Sequence, residues 1–175
     1  MKPFTTIAVV MVTLTTAPTV PTALAQQCRD DIPATSPTEQ YRVTDDVMVT
    51  DLKHQRMWLR CSVGQQWEDG QCRGDPVTTS HDQALNLAKQ HDDAGYTDWR
   101  LPTIYELSTL AELRCHRPAI NLDVFPDTPA ADYWTSTLFS NNANMAWLVH
   151  FQYGENHTAM KSSKAKVRLV RSIAP

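Results

Sequence analysis

Side chains that carry out covalent chemistry in enzymes are present in this chain, but none stands at a spacing that defines a catalytic motif. The sequence contains no G-x-S-x-G turn, no H-E-x-x-H motif, no P-loop and no glycine-rich dinucleotide motif. The six histidines are scattered and none has the spacing of metal ligands. For His91 and His150, a structural role is favoured over metal ligation. The sequence therefore predicts a protein that is not an enzyme.

The number and spacing of the four cysteines favour disulfides over a zinc site or a reactive thiol. They include no C-x-x-C pair, which disfavours a zinc site, and an even number in an exported chain predicts two disulfides. Three pairings are open. We favour Cys61 with Cys72, because "CSVGQQWEDGQC" has the pattern of a glycine-bearing loop that returns on itself. Cys28 then pairs with Cys115.

Oxygen ligands for a hard cation are concentrated in one region of the sequence. Carboxylate and amide oxygens are the ligands that Ca²⁺ prefers. The candidate ligands are Asn121, Asp123, Asp127 and Asp132. We expect the protein to bind no cofactor. Calcium is the alternative, and it is less favoured.

Polar and aromatic residues in predicted turns are the candidates for ligand binding. Trp67 lies in a polar, glycine-flanked loop, whereas the other tryptophans lie in strand-like segments and are expected in the core. Loops on a rigid scaffold often carry binding residues, although ordinary solvated turns have the same composition. The candidates in the turns "SNNAN" and "QYGENHT" are Asn141, Asn142, Asn144, Tyr153, Asn156 and His157.

The N-terminus has the parts of a secretory signal peptide. Lys2 precedes a short apolar run, and "ALA" ends at Ala25, so we predict a signal peptide over residues 1–25. The run is too short to span a bilayer, and we expect no transmembrane segment after cleavage. Residues 26–40 are predicted to form an extended arm and residues 41–173 one domain. The protein is thus expected in the periplasm or outside the cell.

Charge gives no indication of a nucleic-acid partner. The whole chain has 16 basic and 19 acidic residues, and removal of Lys2 with the signal peptide leaves 15 against 19, a net charge of −4. No basic patch stands out.

Two helices are predicted between two groups of strands. Ser80 and Gln83 begin a helix that Gly95 ends, and Thr103 and Glu106 begin a second helix over "TIYELSTLAEL". The stretch "DWRLP" joins them, and its Arg100 needs a carboxylate or carbonyl partner. Seven residues are assigned structural roles: Trp99, Arg100, Pro102, Thr103, Glu106, Trp134 and Trp147.

Strands are predicted on both sides of the helices. Residues 41–60 are expected to form two strands with a turn near His54. "DYWTSTLF", "MAWLVHFQYG" and "AKVRLVRSI" alternate with a period of two later in the chain. Strands, two helices and further strands in this order predict an α+β fold.

Several blocks of sequence resemble one known family. "VTDLKHQRMWLRCSVGQ", "AGYTDWRLPTIYEL", "CHRPAINLDVFPDTP", "YWTST", "AWLVHFQYG" and "VRLVR" occur in the order found in the Lcl C-terminal domain family. The resemblance implies a compact C-type-lectin-like domain, related to formylglycine-generating enzymes, with two helices, short twisted antiparallel strands and two disulfides. Where many relatives carry "TGLMW", this chain has "HQRMW", with Gln55 and Arg56 in place of a glycine-bearing turn.

For function, the resemblance implies adhesion or ligand binding, with sulfated glycans and trimer formation for the founding member. We therefore predict an exported, non-catalytic binding module that recognises a glycan or surface polymer through loop tips. The alternative is a protein-interaction module, such as a subunit of an envelope or pilus assembly or a periplasmic inhibitor of a secreted toxin. Formylglycine-generating chemistry is a minor alternative that requires free thiols.

Overall fold

The structure, a computed structural model, describes residues 25–173. The predicted signal peptide therefore lies outside the described residues, apart from Ala25. The described part contains the strands β1 (Gln27–Cys28), β2 (Tyr41–Asp45), β3 (Met48–Asp51), β4 (Arg56–Leu59), β5 (Gln66–Glu68), β6 (Gln71–Arg73), β7 (Thr78–Thr79), β8 (Cys115–His116), β9 (Asp132–Leu138), β10 (Met145–His150), β11 (Glu155–Met160), β12 (Ala165–Lys166) and β13 (Val170–Ser172). Its helices are α1 (His81–Lys89) and α2 (Ile104–Ser108), with 3₁₀ turns at Thr38–Gln40 and Asp93–Gly95.

This architecture is mainly β, and the predicted α+β, C-type-lectin-like fold is wrong. Within residues 25–173 the strands form four sheets, whereas α1 has 9 residues and α2 only 5. Two helices are present as expected, but each is shorter than predicted. The first ends at Lys89, and Gly95 belongs to a separate 3₁₀ turn.

The second helix stops early because side chains compete with its backbone. Ser108 Oγ donates to Ile104 O and Thr109 Oγ1 donates to Glu106 O, both at 2.7 Å. Such bonds to the preceding turn disfavour continued helix. The residues that follow contact the N-terminal arm: the buried Glu112 carboxylate accepts hydrogen bonds from the backbone N–H groups of Thr35 and Ser36.

Two larger sheets form the scaffold. A five-stranded sheet has the order β11-β10-β9-β12-β7, and a four-stranded sheet has the order β13-β4-β3-β2. Two further pairs, β1-β8 and β5-β6, lie outside them. Residues 41–60 thus contribute three strands, one more than predicted, and β11 was not predicted as a strand.

The core lies on both faces of the five-stranded sheet. Tyr133 and Val149 pack with α2, whereas their neighbours Trp134 and Leu148 pack with α1. Adjacent residues of a strand point to opposite faces, so each helix covers one face. Of the four tryptophans expected in the core, three are buried and Trp147 is half-buried, with its ring 5.9 Å from that of Phe139.

The stretch "DWRLP" is a structural joint. Arg100 exchanges two 3.0 Å backbone hydrogen bonds with Val170, which ties the joint to β13. Trp99 and Leu101 are buried, and the Arg100 guanidinium forms two 2.8 Å bonds with the Glu106 carboxylate. The capping box is complete, since Thr103 N donates to Glu106 Oε2 and Glu106 N donates to Thr103 Oγ1.

Candidate functional site

The predicted loop tips do not form one face. The turn with Asn141, Asn142 and Asn144 precedes β10, and the turn with Tyr153 follows it, so the two turns lie at opposite ends of a six-residue strand, roughly 20 Å apart. Asn156 and His157 lie within β11 rather than at a tip. Asn156 Oδ1 accepts from Ser108 Oγ, and His157 Nε2 is 3.2 Å from Asp132 Oδ1.

The candidate calcium ligands Asp123, Asp127 and Asp132 do not group around one point, although Asn121 contacts Asp123. Asn121 donates to Ser36 O and Thr38 Oγ1, while its own side-chain oxygen accepts from the backbone N–H of Asp123. Asp127 Oδ2 accepts from Cys72 N, and Asp132 lies beside His157. Among residues 25–173, no group of three or more His, Cys, Asp or Glu side chains is arranged to hold a metal ion.

Trp67 lies in a small, closely braced hairpin. Asp69 and Gly70 have φ values of 49° and 81°, the conformation of the two-residue turns that join tight hairpins. Trp67 is directly opposite Cys72, which forms a disulfide with Cys61. The structure also pairs Cys28 with Cys115, so both disulfides have the favoured pairing.

Arg60 stands directly behind the Trp67 ring. Its guanidinium carbon is 4.0 Å from the ring centroid, a cation–π contact. Arg60 is only 9% exposed and donates to the carbonyls of Asp46, Asp123 and Val124. Burial lowers the pKa of this guanidinium, and the charge of Asp46 opposes that shift. Arg60 thus contacts one face of the indole, and Trp67 also lines the adjoining cleft.

The opposite wall is the turn that follows α1. His91 Nε2 is 2.8 Å from Asp93 Oδ2, and the Asp93 side chain is 61% exposed. Trp99 Nε1 donates to Asp93 O at 3.0 Å, and the Trp99 ring packs edge-on against His91. A buried tryptophan therefore holds a polar turn, whose Ala94 has a φ of 58°.

These two walls enclose a cleft of about 260 Å³. That volume is just below the range of about 300–1,000 Å³ typical of small-molecule sites, so the cleft suits one ring-sized group. Val47, Leu59 and Val63 supply apolar surface, and the polar groups come from both walls. The lining residues are Val47, Leu59, Cys61, Ser62, Val63, Gly64, Gln65, Gln66, Trp67, His91, Asp93 and Ala94.

Gly64 and Gln65 hold the loop that lines the cleft in its conformation. Gly64 has a φ of 96°, and a Cβ there would lie 2.7 Å from Val77 Cγ2 and from Val77 N. Gln65 Oε1 accepts from Ser62 N, while Gln65 Nε2 donates to Cys72 O. The loop is thus held in shape by its own backbone and side chains.

A buried arginine supports the cleft from inside the protein. Arg168 is fully buried and donates to Leu59 O, Arg60 O, Ser62 Oγ and Thr128 Oγ1. Burial lowers the pKa of its guanidinium and raises the pKa of the neighbouring Tyr133 phenol. Tyr133 Oη also bonds Ser62 Oγ at 2.7 Å, so a residue of the cleft wall is linked to the core.

Of the predicted ligand-binding residues, Trp67 is the one that lines this cleft. Sequence reasoning missed Arg60, His91, Asp93 and Arg168 as parts of the site. The dipeptide Asp69-Gly70 was the available signal, because Asp-Gly between strand residues indicates a tight hairpin that would place Trp67 opposite Cys72. The turn around His91 carried no comparable signal, because only the folding of the chain brings it next to the loop that contains Trp67.

Residues 25–173 thus form a disulfide-stabilised, mainly β domain in which the half-buried Trp67 lines a cleft. The family model of the Lcl C-terminal domain matches residues 47–171, and the chain belongs to that family. A search of curated proteins found none that matches the chain. Within residues 25–173, no helix combines the length and the apolar character that a membrane crossing requires.

Proposed function

We propose that this protein is an exported, non-catalytic binding module that takes one ring of a glycan or other surface polymer into the cleft beside Trp67. The observation that carries the proposal is the pairing of a half-buried indole, braced by Arg60, with the polar turn at His91 and Asp93. The prediction of a binding module through loop tips is thereby narrowed to one cleft.

The chemistry of a sugar suits this combination of groups. A sugar ring has C–H groups that pack on an aromatic face and hydroxyl groups that need hydrogen-bond partners at its edge. Trp67 supplies the aromatic surface, and the exposed Asp93 carboxylate supplies a hydrogen-bond acceptor. Because the indole is already held by Arg60, little side-chain freedom is lost on binding.

Export and the absence of catalysis are supported by the cysteines and the sequence motifs. Both disulfides are of the kind that persists in an oxidising compartment. None of the four cysteines is free, so formylglycine-generating chemistry would lack the reactive thiols that it requires. A metal is not part of the proposal.

The test is calorimetric titration with neutral, acidic and sulfated polysaccharides, with and without calcium. We expect saturable binding that Trp67→Ala weakens by about two- to tenfold, since contacts of an aromatic ring contribute about 0.5–1.5 kcal/mol. Tyr105→Ala is the matched control, because Tyr105 is 83% exposed and lies on α2, outside the cleft. Absence of binding to every polymer, or equal binding by both variants, would contradict the proposal.

A protein partner is the second candidate, and two exposed side chains favour it. Tyr105 and Leu113 are 83% and 59% exposed, although both are large and apolar. A protein-interaction module should recover a stoichiometric partner from envelope extracts, and Tyr105→Ser with Leu113→Ser should abolish that recovery. Retention of the partner by this double variant, with loss on Trp67→Ala, would assign the partner to the cleft instead.

A further inference from the structure

The strand β11 is an open edge of the five-stranded sheet. It is first in the order β11-β10-β9-β12-β7, and all six of its residues pair with β10 in a regular antiparallel register. It contains no proline and no bulge, two of the devices that protect an edge from pairing with another chain. Met160, its last residue, is 47% exposed.

The register shows which backbone groups face outward. Lys161 N donates to Asn144 O at 2.8 Å, which makes these two residues a hydrogen-bonded pair. Hydrogen-bonded and non-hydrogen-bonded pairs alternate in an antiparallel ladder. The N–H and C=O groups of Asn156, Thr158 and Met160 therefore point away from β10. Among the described residues, none bonds these backbone groups except Ser163, whose N–H donates to Met160 O.

We propose that β11 binds β11 of a second copy of this chain in antiparallel orientation, with Thr158 opposite Thr158 of the second copy. This register places Asn156 opposite Met160 of the second copy, so every residue with outward backbone groups faces another such residue. Each of these pairs exchanges two backbone hydrogen bonds. The two five-stranded sheets become one continuous sheet across a two-fold axis.

Charge complementarity favours the same register over a shifted one. With Thr158 at the axis, Glu155 stands opposite Lys161 of the second copy, and the two-fold axis makes this contact twice. Glu155 is exposed, and its carboxylate bonds no other residue in the described part of the chain. Lys161 lies on the same face of the sheet as Glu155, and its ammonium is also 3.0 Å from Asp82 Oδ1 of its own chain.

Cysteine cross-linking tests both the pairing and its register. Residues in a hydrogen-bonded antiparallel pair have Cα atoms about 5.5 Å apart, which a disulfide can bridge. We expect Thr158→Cys to form a covalent dimer under mild oxidation. The matched control is Asn156→Cys on the same face of β11, because its own copy would lie about 14 Å away. A covalent dimer from Asn156→Cys alone, or from neither variant, would overturn the proposal.

Charge reversal tests the interface without a covalent bond. Sedimentation velocity of the disulfide-intact protein over a range of concentrations should show a monomer–dimer equilibrium. Glu155→Lys should weaken dimerisation about tenfold, because it places two lysines opposite each other, whereas Glu155→Gln should weaken it less because it only removes the attraction. A protein that stays monomeric up to millimolar concentration, or a dimer that Glu155→Lys leaves unchanged, would count against β11 as the interface.

Discussion

Glu106 is the residue on which the joint between the two helices depends. Its carboxylate accepts from Arg100, from Arg56 at 2.8 Å and from the backbone N–H of Thr103, although the residue is only 6% exposed. Burial alone raises the pKa of the carboxyl group, but the bonds from Arg100, Thr103 and Arg56 outweigh it and lower the pKa to about 2. A capping glutamate thus also holds two arginines from different parts of the fold.

We expect Glu106→Gln to lower the free energy of unfolding at pH 7 by about 3 kcal/mol, because a pKa lowered from 4.5 to about 2 corresponds to stabilisation of this size at about 1.4 kcal/mol per pKa unit. The folded pKa is lower than the unfolded one, so the stabilisation is complete above pH 4.5. It is lost as the pH falls from about 4.5 to about 2. Denaturation by urea across this pH range is the measurement.

The control for this prediction is Glu39→Gln. Glu39 is exposed in the first 3₁₀ turn, and its carboxylate bonds no residue in the part of the chain that the structure describes. This variant should unfold like the wild type at every pH. A Glu106→Gln deficit that persists unchanged at pH 2 would show that the charge is not its cause.

At the scale of elements, the turn between β3 and β4 is strained at one residue. Gln55 has a φ of 54°, in the left-handed region that favours glycine. Its side chain donates to Leu52 O at 2.8 Å, which offsets part of this cost. The position is the one at which the resemblance implies a glycine-bearing turn, and here Gln55 adopts a left-handed conformation that glycine would adopt without strain.

Gln55→Gly and Gln55→Ala should separate conformation from side-chain bonding. Both variants lose the bond to Leu52 O, but only glycine relieves the left-handed strain, which costs other residues about 1–2 kcal/mol. Glycine also gives the unfolded chain more conformational freedom, and this offsets part of the stability gained from relief of strain. We expect the Gly variant to be more stable than the Ala variant by about 0.5–1 kcal/mol in chemical denaturation. If Gln55→Gly and Gln55→Ala were equally stable, the left-handed conformation at residue 55 would not be a source of strain.

At the scale of the whole molecule, the two disulfides constrain very different lengths of chain. Cys61 and Cys72 are separated by 11 positions and close the loop that carries Trp67, whereas Cys28 and Cys115 are separated by 87 and fasten the arm. The arm is also held by Gln26, whose side chain donates to the carbonyls of Pro118 and Ile120.

Replacement of each pair by serine should therefore have different effects. The chain-entropy account gives about 3 kcal/mol for the short loop and about 4–5 kcal/mol for the long one. We expect Cys28→Ser/Cys115→Ser to lose at least as much stability as Cys61→Ser/Cys72→Ser, measured by thermal and chemical unfolding. Peptide mapping is the control for the pairing, and a fragment that joins Cys61 to Cys115 would contradict it.

Local features of the fold could be predicted because their causes lie within a few residues. Thr103 and Glu106 satisfy each other's backbone donors three residues apart, and the loop from Cys61 to Cys72 closes on itself. The alternation in β9 and β10 indicated strands for the same reason. The short second helix was only partly open to prediction. Ser108 and Thr109 are local signals, but the hydrogen bonds that Glu112 accepts come from Thr35 and Ser36, about eighty positions earlier in the chain.

The family, the favoured cysteine pairs, the starts of both helices and the position of Trp67 in a polar loop could thus be read from the residues alone. The mainly β architecture, the free edge at β11 and the partners of Trp67 became evident from the folded chain. Alternation in "AKVRLVRSI" gave no sign that Arg168 is fully buried, because its carbonyl and hydroxyl acceptors come from β4 and two distant loops. A periodic pattern reports which residues share a face of one element, whereas a site assembled from several elements depends on how those elements pack.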